Sequence, residues 1–387
     1  MADPIEIVAL GAMAASSGMY VMMMTAFTRA WSRRQPRVLD RCPRVTIFKP
    51  IAGLDDDLAE NLATFAAIEY PAFELLFGVA DADDPALPTI RAFLARYPHL
   101  EARLVFTDPH RAINPKVAQL LGMESIATGE IFLVSDANVR VRANYLDGIV
   151  AELQQPGIGL VSNVVAGTGE RTWGAALENL HLGAHIAPGV VGMKQAFGRP
   201  LTIGKSMAMW RRDLARVGGF ASVSNVLAED YVMGRRFHEH GLGVSLVLDP
   251  VSNRNVDCDF NRMIERHTRW AKMRRAIAPT AFAFEPLLSP IAIALAAVAL
   301  SPTRRVAATL VAVMLMQWLG AAFTTRVIRG HALRPRYLLL EPLRAIAMQV
   351  CWLRAVMSRR VEWRGHAFIV GPDSVLTPVA RPRRELA

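Results

Sequence analysis

Three cysteines in 387 residues, Cys42, Cys258 and Cys351, are too few and too irregularly spaced for a disulfide framework or a zinc site. That scarcity suits a soluble part kept in a reducing compartment. Charge is missing as well: from Ile7 to Phe27 no side chain is charged, and the run is about as long as one helix needs to cross a bilayer. No basic residue precedes it. Asp3 and Glu6 stand before it, while Arg29, Arg33, Arg34 and Arg37 follow. This pattern disfavours a cleaved signal peptide and predicts a retained helix with its N-terminus outside and Arg29 onward in the cytoplasm. Internal repeats and low-complexity segments are also missing. So is the long series of hydrophobic segments that would line a polymer channel.

What is present begins with base. A net charge of +10 favours anionic partners, and beside membrane segments these are lipid headgroups and phosphate rather than nucleic acid. After the basic linker, short apolar runs alternate with helical spacing. Residues 44–51, 73–81, 103–108, 131–136 and 158–165 read as strands, and 58–68, 85–97, 116–127 and 143–153 as helices. Such alternation predicts an α/β domain with a mostly parallel sheet and helices on both faces, whose ligands bind at the carboxyl ends of the strands. Farther on, a helix from Trp173 to His185, an extended stretch from Leu201 to Trp210, a helix from Glu229 to His240 and a strand from Val244 to Leu248 are expected.

The membrane returns at 287–300 and 306–323, two uncharged stretches joined by Ser301-Pro302-Thr303-Arg304-Arg305. Residues 337–357 are interrupted by Glu341, Pro342, Arg344 and Arg354; as a span they would put Arg359, Arg360 and Arg364 outside, so they are expected to lie along or re-enter the cytoplasmic face. The expected divisions are a transmembrane helix (1–28), a basic linker (29–43), a cytoplasmic domain (44–278), a membrane region of two helices plus an interfacial or re-entrant segment (279–358) and a basic cytoplasmic tail (359–387).

Four polar clusters stand out in the cytoplasmic domain. Asp81-Ala82-Asp83-Asp84-Pro85 ends a strand; Asp83 and Asp84 equally suit a helix cap before Pro85. In Leu133-Val134-Ser135-Asp136-Ala137-Asn138, alternate positions put Asp136 and Asn138 on one side, where both would reach one divalent cation with phosphate oxygens; a turn or cap is the structural alternative. Glu229-Asp230 open a helix, a place that the helix dipole alone favours for acids. Arg266-His267-Thr268-Arg269-Trp270, followed by Lys272, Arg274 and Arg275, reads either as a lipid-facing collar or as a diphosphate site with an aromatic wall.

Taken in order, Asp81, Asp136, Asp230 and the RxxRW set Arg266, Arg269 and Trp270 resemble the ceramide glucosyltransferase family, glycosyltransferase family 21, related to family 2. Lys49-Pro50, Asn61-Leu62, Tyr70-Pro71, Asp83-Asp84-Pro85, Asn114-Pro115-Lys116 and Glu229-Asp230-Tyr231 add to the likeness, which covers residues 44–280. The resemblance implies a GT-A type nucleotide-sugar domain, between membrane helices at both ends, transferring sugar with inversion. By the same resemblance Asp81 holds the nucleoside of a UDP-sugar, and Asp136 joins the metal and diphosphate. Lys116, Arg266, Arg269 and Trp270 serve the donor, and Asp230 is the general base toward a lipid hydroxyl. Glu229 would raise the proton affinity of Asp230 or hold a sugar hydroxyl. Asn138 departs from the pattern, since a second acid is expected there, and leaves Mn2+ or Mg2+ open. The glycine-rich segment from His181 to Arg199, with His185, is the expected acceptor entrance; packing of a loop on the sheet is its alternative. The implied setting is a cell inner membrane with the catalytic domain facing the cytoplasm. The acceptor expected first is ceramide, with UDP-glucose as donor. Transfer of N-acetylglucosamine or another sugar to a hopanoid or other lipid alcohol is the alternative, and a non-catalytic scaffold is the alternative of another class.

Overall fold

The structure is a computed structural model that describes residues 3–35, 37–198, 201–363 and 365–379; Arg199, Arg364 and residues 380–387 lie outside the described residues. Its centre is an eight-stranded sheet of β1 (Val45–Pro50), β2 (Phe73–Val79), β3 (Ala102–Phe106), β4 (Ile131–Ser135), β5 (Val139–Arg140), β6 (Ile158–Thr168), β7 (Ser206–Trp210) and β8 (Gly243–Arg254). The order is β3-β2-β1-β4-β7-β6-β8-β5. The pairs β1 with β2, β1 with β4, β2 with β3 and β6 with β8 are parallel, whereas β7 runs against both β4 and β6.

Every residue of β1 and β4 is buried, because helices cover both faces of these central strands. Successive side chains point opposite ways. Ile47 therefore joins Leu62, Phe65 and Ile90 on one face, and Phe48 joins Phe132, Leu120 and Phe220 on the other. Phe48 meets the Phe132 and Phe220 rings edge-on at 5.0 and 5.8 Å. Strand order reverses at β1, which has β2 on one side and β4 on the other, and at such a switch the strand ends leave a crevice for ligands.

Two helices, Pro4–Ser32 and Arg304–Arg329, are long and apolar enough to cross a membrane; Pro279–Leu288 and Pro290–Leu300, bent by 66°, supply a third crossing if counted as one. The helix Glu341–Met357 is not among these candidates. Two of its interrupting charges are met inside the protein, while Arg354 is exposed: Glu341, fully buried, takes two bonds from Arg344 at 2.8 and 2.9 Å and contacts His185 at 2.8 Å.

Two expected segments differ in form. The stretch after His181 is helical, running through a π turn at Leu182–Ile186 into the helix Ala187–Phe197. Two of its glycines serve packing: a Cβ on Gly183 would come within 3.0 Å of Thr325, and one on Gly192 within 3.4 Å of Met23. The expected tail forms a second sheet of β9 (Arg360–Trp363), β10 (His366–Val370) and β11 (Leu376–Pro378), because Val361, Phe368, Val370 and Leu376 bury themselves against Leu227.

Candidate active site

The polar cluster forms where β4 ends. Lys49, near the end of β1, is fully buried; its Nζ donates to the Asp136 backbone carbonyl at 2.6 Å and lies 3.9 Å over the Phe65 ring. Burial pulls this lysine down to about 7, against the attraction of Asp136 and Asp55. The next contributor is the helix Pro115–Glu124. Asn114 caps it by accepting from the N–H groups of Lys116 and Val117, with Pro115 at the first helical position, where its missing N–H is no loss. That cap aims Lys116 inward, where Nζ meets Asp136 Oδ1 and Glu229 Oε1, each at 2.9 Å, and donates to the Gly204 carbonyl at 3.2 Å.

The loop before β7 closes the other side. Ser206 is buried and bonded to Asn163 at 2.7 Å and Tyr145 at 2.6 Å, which fixes the strand start and with it Gly204 and Lys205. Lys205 Nζ lies 3.0 Å from Asp136 Oδ2 and 2.9 Å from Asn138 Oδ1. The Gly204 N–H donates to Asp230 Oδ2 at 2.7 Å, and the Tyr231 N–H donates to Oδ1 at 2.7 Å. Glycine is required at 204 because a Cβ there would stand 2.9 Å from Asp230 Oδ2. Behind the acids, the C-terminal sheet braces the backbone: Leu227 N–H donates to the Ser374 carbonyl at 2.8 Å and Ala228 N–H to Ser374 Oγ at 3.2 Å.

The two aspartates sit in opposite electrostatic settings. Burial would raise the Asp136 carboxyl, but Lys116 and Lys205 outweigh it and hold the group well below the usual carboxylate range. Asp230 is pushed up to about 6, first by burial and then by Glu229, against the pull of Lys116. Lys116 itself is held above its ordinary range: burial would lower it, and Asp136 and Glu229 more than compensate. The lysines thus favour the ionised form of Asp136, whereas burial and Glu229 favour the protonated form of Asp230.

Asp136, Asn138, Lys116, Glu229 and Asp230 thus converge. Asp81 occupies the exposed turn after β2, at the rim shared by the parallel strands β2, β1 and β4, and accepts from the Asp83 N–H at 2.9 Å. Asp84 is buried and ties Gly53 to the start of the following helix. Arg266, on the helix Phe260–Ile277, is bound to buried Glu178 and to Asn255 Oδ1, the latter at 2.9 Å. Its guanidinium therefore joins helix Trp173–His181 to the end of β8. Arg269 and Trp270 are half-buried on the same helix, Trp270 edge-on to His267 at 4.9 Å. His185 pairs with Glu341 and stacks beside His181, in the junction between the sheet domain and the candidate spans.

Sequence reasoning missed Lys205 and Gly204, which lie in what reads as a plain extended stretch; the Ile203-Gly204-Lys205-Ser206 turn before an apolar strand was the available signal. It also missed a brace at the rim. Asp57, in a left-handed conformation at φ 53°, receives Arg254 at 2.6 Å and Arg140 at 3.0 Å, so the loop after β1 is fastened to β8 and β5.

For a cation, the protein offers the Asp136 carboxylate and the Asn138 amide oxygen; among the described residues no three His, Cys, Asp or Glu side chains converge as a cage. So few protein ligands fit Mg2+ or Mn2+ carried largely by substrate phosphates.

The fold and the sequence both have known counterparts. The structure is similar to that of the mannosyltransferase PcManGT from Pyrobaculum calidifontis, solved with GDP-Man and Mn2+, at a TM-score of 0.57 and 21% identity over 91% of this chain and 98% of that one. In sequence the chain is 25% identical over 335 residues to Ceramide glucosyltransferase 3 of Caenorhabditis elegans, covering 84% of this chain and 72% of the relative. It is 26% identical over 289 residues to Ceramide glucosyltransferase 1 of the same organism, covering 74% and 62% respectively. A 121-residue segment, 28% of this chain and 22% of the relative, is 33% identical to Ceramide glucosyltransferase of Candida albicans. With the model of Glycosyl transferase family 21 matching residues 9–376, from the first apolar helix through the brace at Ser374, the chain belongs to that family and is a glycosyltransferase with a GT-A-like fold.

Proposed function

We propose that the protein transfers a sugar, glucose first among candidates, from a UDP-sugar to the primary hydroxyl of a membrane lipid, ceramide first among acceptors, with inversion at the anomeric carbon. The observation that carries this reading is the pairing of Lys116 with both Asp136 and Glu229, which sets an ionised Asp136 beside an Asp230 whose proton affinity is raised. Asp230, free of its proton above about pH 6, accepts the hydroxyl proton of the lipid as that oxygen attacks the sugar. Its two oxygens each already accept one backbone N–H, which orients the carboxylate and leaves a lone pair for the hydroxyl. Lys116 and Lys205 supply positive charge where the diphosphate departs. A divalent cation held by Asp136 and Asn138 would add Lewis-acid stabilisation of the leaving group. Asp81 is the nucleoside ligand, Arg269 and Trp270 cover the diphosphate and the acceptor mouth, and Arg266 is a positioning residue for that helix through Glu178.

The membrane helices support a lipid acceptor, and orientation with the sheet domain in the cytoplasm, at the inner membrane of the cell, follows from the basic residues after the first helix. The test is product analysis by mass after incubating detergent-solubilised protein and Mn2+ or Mg2+ with a panel of UDP-sugars, ceramide and a hopanoid alcohol. Glucose on ceramide supports the reading in full. Sugar on the hopanoid alone keeps the chemistry and overturns the acceptor, and no product with any pair overturns both.

A further inference from the structure

Lys205 stands where a cation shared by Asp136 and Asn138 would have to stand. Its Nζ is 3.0 Å from Asp136 Oδ2 and 2.9 Å from Asn138 Oδ1, the oxygens that an incoming divalent ion would use, and Lys116 holds the remaining Asp136 oxygen at 2.9 Å. The loop bearing Lys205 is fixed on both sides, by buried Ser206 and by the Gly204 contact with Asp230, whereas the long aliphatic stem leaves the ammonium free to swing. A site already filled by one positive charge repels a second. A nucleoside diphosphate changes that balance, because it brings negative charge for both the ammonium and the metal.

From this geometry we propose that Lys205 is a cation gate: its ammonium occupies the metal position until a nucleoside diphosphate arrives, then leaves Asp136 and Asn138 to the metal and pairs with phosphate. The inference rests on the donor-site reading above. Metal affinity is then conditional on nucleotide, and by linkage nucleotide affinity is conditional on metal to the same degree.

The experiment titrates Mn2+ by electron paramagnetic resonance into the full-length protein in detergent, with and without saturating UDP, for wild type, Lys205→Met and Lys205→Arg. Wild type should bind Mn2+ at least ~10-fold more tightly with UDP than without, a coupling in the ordinary range for linked sites. Lys205→Met should tighten Mn2+ binding in the absence of UDP and shrink the coupling, while Lys205→Arg, which keeps the charge, should retain it; melting curves establish that each variant is folded. Unchanged or weaker Mn2+ binding by folded Lys205→Met without UDP overturns the gate. UDP binding that ignores Asp136→Asn overturns the donor site, and the gate with it.

Discussion

At the residue scale, the proposed base Asp230 should set the pH dependence of transfer. Because the base works deprotonated, transfer should fall as pH drops through about 6. Glu229→Gln removes a neighbouring negative charge and should move this limb to lower pH; Lys116→Met removes the opposing cation and should move it higher. A rate profile that keeps its midpoint in both variants would remove Asp230 from the role. Asp230→Asn should cost at least ~10²-fold in transfer, the usual minimum for a general base, and leave UDP binding nearly intact by calorimetry. Gly204→Ala should cost a similar factor for another reason: its new methyl would crowd the Asp230 carboxylate at 2.9 Å, and misplacement of a catalytic group by about 1 Å is worth ~10²-fold.

At the scale of elements, the C-terminal sheet is the part whose removal is most informative. Deleting residues from 359 onward would expose Leu227 and strip the acceptors from the Leu227 and Ala228 N–H groups. The truncated protein should still bind UDP, since Asp136, Lys116 and Lys205 lie on other elements, and should lose transfer by more than ~10-fold; equal loss of both would show a fold-wide effect. The exposed Arg235–Asp373 pair in the same region should matter little, with Asp373→Ala changing stability by less than about 1 kcal/mol. Elements differ in how well the chain announces them. Strands β1, β2, β4 and β6 are buried almost throughout and mostly apolar because both faces are covered, and they are readable for that reason. The helix through Leu182–Phe197 hides behind Gly183, Pro188, Gly189 and Gly192, and at Gly183 and Gly192 close approach to other helices outweighs helix propensity. Strand β5 has two residues and borrows its pairing from β8.

For the whole molecule, the legible and the hidden parts of the site divide by distance along the chain. Asp136, Asn138 and Glu229-Asp230 carry their signal locally, at a strand end or helix start. Lys205 gains meaning only when β7 inserts antiparallel beside β4 and brings it to Asn138, 67 positions away. Long-range pairing also secures the membrane junction. Glu341 and Arg344 are buried with His185, His181 and Gln317 around them, so Glu341→Ala would strand a buried guanidinium and should destabilise the protein by about 3–5 kcal/mol, read as a lowered melting temperature in detergent. Orientation is tested by a single cysteine at Arg359 in a chain lacking exposed Cys42: it should be shielded from an impermeant thiol reagent in intact cells, and ready labelling would reverse the topology.

The brace at Ser374 also governs when the molecule first becomes competent. Ribosomal synthesis delivers this serine 146 positions after Ala228, when the bent helical pair and the Arg304–Arg329 helix have already emerged. A nascent chain that has placed all its acids and lysines still lacks the acceptors behind Leu227 and Ala228. A chain halted before Ser374 would thus carry every residue of the proposed donor site and all the candidate spans, yet lack the brace behind the acids.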